Sequence, residues 1–358
     1  MTRRHRTGGV AALAGAFVMV LSACASGDDA TGSSPSSLPT DPTAVTATPP
    51  RPGSTVDSSS TTATTSADAD RPSVTAPTAT VTDTHVASDR AAPPARLDGV
   101  LDVEDFAARL SATYATMVDP AAAPDDRSRA GVDYQLVLRE LAGRPDLDDA
   151  VLASLDPSAR PTVERIVRAR QFLQERSATR PPQPLPDELP AWTIVEPEPI
   201  DTLLGHYAEA EALTGIPWYW LAAIHLQETR MGRIQGVSSA GAVGPMQFLP
   251  TTWAVCCVGD PTVTRDAIIG AATYLQQSGG PDDMAAALYQ YNPNDGYVAV
   301  VTAYAESFRD EPELLAGHHA FQVFFGSSAG TVRLPIGYRE TAPIDAAAYL
   351  AANPHDAG

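Results

Sequence analysis

The sequence predicts a mainly α fold, built from a helical N-terminal region and a larger helical domain and preceded by a disordered leash. Three observations carry this expectation. From Leu101 onward, apolar residues recur at intervals of three and four, the period of a helix buried on one face. No alternating strand pattern appears before the Gln322–Phe325 and Val332–Leu334 stretches. Residues 25–96 are mostly Ser, Thr, Pro, Ala and Asp without one Phe, Tyr or Trp, so they bury too little apolar surface to offset chain entropy.

The chain begins with a short basic stretch, Arg3, Arg4, His5 and Arg6, followed by an apolar run from Gly8 to Leu21 that is too short to span a bilayer as a mature helix. The run closes on Leu21-Ser22-Ala23-Cys24, which resembles a lipobox. The resemblance implies that residues 1–23 are a lipoprotein signal peptide and that Cys24 is lipidated, placing the protein on the extracytoplasmic face of the cell membrane as a lipid-anchored molecule. The alternative is an ordinary signal peptide in which Cys24 is incidental. Residues 24–96 then form a tether, whose coil would span roughly 45 Å.

The folded elements follow in order. Leu101 to Val118 carries Phe106, Leu110, Tyr114 and Met117 at helical spacing, and further helices are expected near Gly131–Ala142 and Ser158–Glu175. These make a helical accessory region over 97–179. Seven prolines between Arg180 and Pro199 mark 180–199 as a linker or an extended wrap. A second domain is expected over 200–335, with a C-terminal tail at 336–358. Its helices are Asp201–Leu213, one starting at Pro217 and running through Glu228 to a left-handed stop at Gly232, then Ile269–Gln277, Met284–Tyr291 and Tyr297–Arg309.

Composition narrows the chemistry. The 358 residues carry a net charge of −19, and every one of the 24 cationic side chains is Arg, with no lysine anywhere. That absence excludes Schiff-base catalysis, P-loop phosphate binding and Ser–Lys dyads. The acidic balance argues against a nucleic-acid partner.

Glu228 is the residue that points to chemistry. Ile224, Leu221 and Trp220 lie on its stripe at i−4, i−7 and i−8. A carboxylate ending an apolar stripe is partly desolvated, and the negative end of the helix dipole acts in the same direction, so its pKa rises. A carboxylic acid protonated near neutral pH suits general-acid cleavage of a glycosidic bond.

The residues after it form a pattern. Glu228-Thr229 is followed by Ser238-Ser239-Ala240-Gly241-Ala242-Val243-Gly244-Pro245-Met246-Gln247-Phe248-Leu249-Pro250-Thr251-Thr252-Trp253, then by Tyr289-Gln290-Tyr291-Asn292 and Tyr297-Val298. Over about Ile200 to Arg309 this resembles the lytic transglycosylases of the lysozyme-like superfamily, in the form of their secreted actinobacterial branch. The resemblance implies a lysozyme-like transglycosylase domain acting on peptidoglycan glycan strands. Glu228 would be the single acid/base, cutting the β-1,4 bond between N-acetylmuramic acid and N-acetylglucosamine and closing a 1,6-anhydro ring. Ser238 would lie beside the cleft, Met246 would form an apolar wall near the acid, and Gln247 would line the sugar site. Tyr291 would bond to Glu228 through its hydroxyl, and Asn292 would serve as a structural or sugar-contacting amide. Three positions depart from the broad pattern: Thr229 for serine, Pro245 for an aliphatic residue, and Pro293-Asn294 for Ala-Gly. No cofactor and no metal are implied. A muramidase of the same fold, or a non-catalytic wall-binding lipoprotein, remains an alternative.

The same residues read on their own physics add detail. Gly241 and Gly244 would let backbone approach a ligand closely, and Gln247 offers both donor and acceptor to sugars. Trp218 and Trp220 favour burial over sugar stacking, and His225 favours a packed, hydrogen-bonded role. Cys256 and Cys257 are either two buried thiols or a vicinal disulfide. His318-His319 is expected to be exposed.

Overall fold

The computed structural model describes residues 93–179 and 181–358. The leader, Cys24 and nearly all of the tether lie outside the described residues. Among those residues the chain is mainly helical, with twelve α-helices and three short two-stranded antiparallel sheets.

Helix α1 (Val103–Val118) starts on a reciprocal cap, in which the Asp105 amide donates to Asp102 Oδ1 at 2.9 Å while Asp105 accepts from the Asp102 amide. Its stripe of Phe106, Leu110, Tyr114 and Met117 is buried, as the spacing predicts. Helix α2 (Pro124–Ala142) begins well before Gly131, because Pro124 suits the first helical turn. A short α3 (Asp148–Ser154) leads to α4 (Arg160–Ala178).

The Pro-rich stretch is a wrap. It contributes two-residue strands β1 (Glu188–Leu189) and β2 (Thr193–Ile194), each too short to show a period in sequence. Helix α5 (Ile200–Thr214) stops at Gly215, which is left-handed with φ +78°. Helix α6 (Trp218–Thr229), capped by Pro217, is the core helix: Leu221 to Leu226 are all fully buried, so it has no solvent face along that run. Strand β3 (Ile234–Gln235) pairs with β2. Then come α7 (Pro250–Cys256), α8 (Thr264–Gln277), α9 (Met284–Tyr291), α10 (Asp295–Asp310) and α11 (Leu314–His319). The hairpin of β4 (Val323–Ser327) and β5 (Gly330–Leu334) occupies the two stretches expected as strands. Strand β6 (Ile344–Asp345) pairs with β1 and opens α12 (Ala346–Ala352).

One contiguous core runs from Leu101 to Phe321, crossing the boundary drawn at 180–199. Helix α4 packs on α10, and α2 packs on α11. At the second contact Gly131 meets Gly317: a Cβ on Gly131 would lie 2.0 Å from the Gly317 carbonyl oxygen. We expect Gly131→Ala to cost about 1–3 kcal/mol through forced separation of the helices, measurable as a lower denaturation midpoint without loss of helicity. The 336–358 segment is packed into a second, smaller core, where Tyr338 and Ala346 meet Leu189, Trp192 and Val332. Asp356 in the turn after α12 is 1% exposed and accepts from the Arg333 Nε at 2.8 Å and from Arg333 Nη2.

Two expectations about side chains are settled here. Cys256 and Cys257 are joined in a vicinal disulfide at the end of α7. His318 is not exposed. It is 1% accessible, its Nδ1–H donates to the Leu314 carbonyl at 2.8 Å, and the rings of Tyr134, Tyr304, Phe308 and Phe321 surround it. The reason is tertiary, since α11 is held against α2 and α10. His319 is half-buried, with Nε2 donating to the Glu198 carbonyl at 2.8 Å. No helix among the described residues is long and apolar enough to cross a membrane.

Candidate active site

Glu228 is the penultimate residue of α6 and only 8% exposed. The stripe beneath it is as expected for Ile224 and Leu221, which are fully buried, while Trp220 and Trp218 are half-buried. Burial is the largest influence on its carboxyl group and pushes the pKa up to about 7. A hydrogen bond from Tyr297 and the charge of Arg230 partly offset that rise.

The phenol that bonds to the acid is Tyr297, not Tyr291. The Tyr297 hydroxyl donates to Glu228 Oε1 at 2.7 Å, while the Tyr291 hydroxyl donates to the Met246 carbonyl at 2.6 Å. The two rings lie parallel at 6.5 Å, so Tyr291 backs the ring that holds the acid. Pro293-Asn294 decides this division. The segment turns the chain between α9 and α10, and Asn294 caps α10 by accepting from the amides of Gly296 at 2.9 Å and Tyr297 at 3.3 Å. Tyr297 therefore enters in the first helical turn. A tyrosine three residues after a capping Asn was the available signal, and sequence spacing alone did not rank it above Tyr291.

Burial raises both phenols well above their ordinary pKa, so Tyr297 stays a donor. Its contact engages Oε1, and Oε2 carries no protein hydrogen bond among the described residues. Removing the donor should destabilise the carboxylate anion. We expect Tyr297→Phe to raise the pKa of Glu228 by about one unit, the worth of one such hydrogen bond. A pH titration of the Glu228 carboxyl by NMR checks this, and an unmoved titration would remove Tyr297 from the site.

A loop covers the end of α6. Arg230, Met231 and Gly232 are all left-handed, with φ of 55°, 60° and 84°, so the helix stops at Thr229 rather than at Gly232. Thr229 ties the loop down: its hydroxyl donates to the Pro245 carbonyl at 2.6 Å and accepts from the Gly232 amide at 3.0 Å. Met246 is fully buried in the core cluster. Gln247 has φ +51° and donates through Nε2 to the Gly244 carbonyl at 2.8 Å, while its buried Oε1 has no donor among the described residues. The same holds for Asn292 Oδ1 at the end of α9. Ser238 is turned inward, accepting from the Ala242 amide at 2.9 Å and so closing its own loop.

The glycine expectation needs correction at Gly244, where φ is +75° and a Cβ would lie 1.8 Å from the Pro261 carbonyl oxygen. Its close neighbour is the chain itself. His225 is packed, with Nδ1 2.8 Å from the Tyr207 hydroxyl, and burial lowers its pKa to about 3. Among the described residues no three His, Cys, Asp or Glu side chains gather as a metal site.

Over 124 residues the chain is 31% identical to the membrane-bound lytic murein transglycosylase F of Thiobacillus denitrificans. Over that stretch it is a distant relative of a lytic transglycosylase. The match takes in 32% of this chain, and the chain spans about a quarter (26%) of the length of that relative. No protein-family model matches the chain, and no solved structure matches it.

Proposed function

We propose that this protein is a peptidoglycan lytic transglycosylase, held to the extracytoplasmic face of the membrane through lipidated Cys24, with Glu228 as its only acid/base. The observation that supports this reading best is a buried carboxyl group that keeps its proton up to about pH 7, with Oε1 held by a phenol. The reading is supported further by the ordered motif around it and by a distant relative that is named as a murein transglycosylase.

In this reading Glu228 Oε2 gives its proton to the oxygen bridging N-acetylmuramic acid and N-acetylglucosamine as the C1–O bond breaks. The muramoyl C6 hydroxyl then attacks C1, and its proton returns to the same carboxylate. No water is consumed and no second carboxylate is needed, unlike in two-acid glycosidases. Gln247 and Asn292 each bring a buried carbonyl oxygen without a donor among the described residues, which suits a sugar hydroxyl or N-acetyl amide. Ser238 and Met246 act by shaping and backing the loop. The chain's acidity gives no long-range attraction to an anionic wall, so recognition rests on such short contacts.

Digestion of purified peptidoglycan, with the muropeptides resolved by mass, tests the proposal. Products lighter by one water than the hydrolytic muropeptides, and lacking a reducing end, are expected. Reducing ends would identify a muramidase, and intact strands would leave only wall binding.

A further inference from the structure

The helical region over residues 97–179 forms one side of a cavity that the reading of Glu228 does not use. It has a volume of about 50 Å³ and lies among α2, α4 and α10. Three arginines line it: Arg139 from α2, Arg170 from α4, and Arg230 just after α6. The remaining walls are mainly aliphatic and aromatic, including Leu138, Val167, Val300 and Phe321.

Charge at this place is unbalanced. In a chain of net charge −19, only Arg170 of the three forms an ion pair among the described residues, with Asp148, which also accepts from Gln171 Nε2 at 2.8 Å; Arg230 is near the Glu228 carboxyl without bonding to it. Arg170 is 4% exposed, yet its Nε and Nη1 have no acceptor among the described residues. Arg139 forms no ion pair among the described residues, and its guanidinium carbon sits 3.8 Å from the centre of the Phe324 ring. Among the described residues the Arg230 side chain donates only to the Leu226 carbonyl, at 2.7 Å. Arg139 is pushed down to about pKa 10 by burial and by Arg230. Arg139 and Arg230 are half-buried and Arg170 is nearly fully buried, so their desolvation carries a cost that a bound anion would offset.

We propose that this cavity is a binding site for a carboxylate carried on a short aliphatic stem, gripped by Arg139, Arg170 and Arg230. The guanidinium fork matches the two oxygens of a carboxylate, and the apolar walls match the stem. Its source is either a free short-chain acid or the carboxyl end of a short peptide. The proposal is independent of any catalytic role for Glu228.

Calorimetric titration of the full-length protein with sodium propionate, with alanylalanine and with inorganic phosphate, at constant ionic strength, tests it. Saturable binding of propionate or the dipeptide, with phosphate weaker, is expected, and the tighter of the two identifies the source. Arg139→Gln and Arg230→Gln should each weaken that binding about tenfold or more, as expected for lost hydrogen bonds to a charged group. Arg139→Gln should melt at or above the native temperature without ligand, because it removes a cation that Arg230 repels and that has no ion pair among the described residues. Absence of saturable binding, phosphate bound as tightly as the carboxylates, or binding unchanged in both variants would overturn the proposal.

Discussion

Glu228→Gln is expected to lower glycan-strand cleavage by about 10²–10⁴-fold, the usual contribution of a positioned general acid, while strand binding persists. The amide preserves shape and can still accept from Tyr297, so the loss would report the proton and not the fold. Activity retained within a few-fold would remove Glu228 from the mechanism. The pH dependence follows from the same burial. With the carboxyl at about 7 when folded and 4.5 when exposed, the folded state holds the proton more tightly. Stability from this group is therefore full below about pH 4.5 and is lost as pH rises through 7, by up to about 3 kcal/mol. The Gln variant lacks this loss. It should match the native protein in stability near pH 4 and exceed it near pH 8, and equal stability at both values would contradict the buried carboxyl. Native activity should fall about tenfold per unit above pH 7, as the acid gives up its proton.

Asp356→Ala is expected to cost about 3–5 kcal/mol, because it strands the Arg333 charge inside the protein. Arg333 is 3% exposed, and its other nitrogen reaches the Pro93 carbonyl. The Tyr349 hydroxyl, which donates to Asp356 Oδ2 at 2.9 Å, would lose its acceptor too. The melting temperature should fall by roughly 10 °C for a domain of this size. A double replacement, Arg333→Met with Asp356→Leu, should recover much of the loss by removing both charges. A fall of less than 2 °C in the single variant would mean that the 336–358 segment is dispensable to the fold.

Local signals were strong where burial follows one helix face. The stripe of α1, the proline before α6 and the left-handed Gly215 each act within a few residues, so they are legible in order along the chain. Helix starts were less so. Helices α2 and α8 begin before their first apolar periodic residues, because proline geometry and an acidic first turn favour helix there without an apolar stripe. The two-residue strands have no period at all and exist through partners as far away in sequence as Asp345 is from Glu188.

The site shows the same division. The position of an acid at the end of an apolar helix, and therefore its raised proton affinity, follows from spacing and burial within α6. Which phenol reaches it does not. Tyr291 and Tyr297 are six residues apart, and the turn at Pro293-Asn294 together with the packing of α10 on α6 selects between them. His318 departs from its expected exposure for an equivalent reason, since nothing in six residues of α11 records what covers them. By itself the sequence determined the helical class, the acid and the loop that follows it, all set by short-range periodicity and backbone preference. The tertiary structure alone decided the hydroxyl on the acid, the burial of the Asp356 side chain and the gathering of three arginines, because each depends on contacts between segments far apart in the chain.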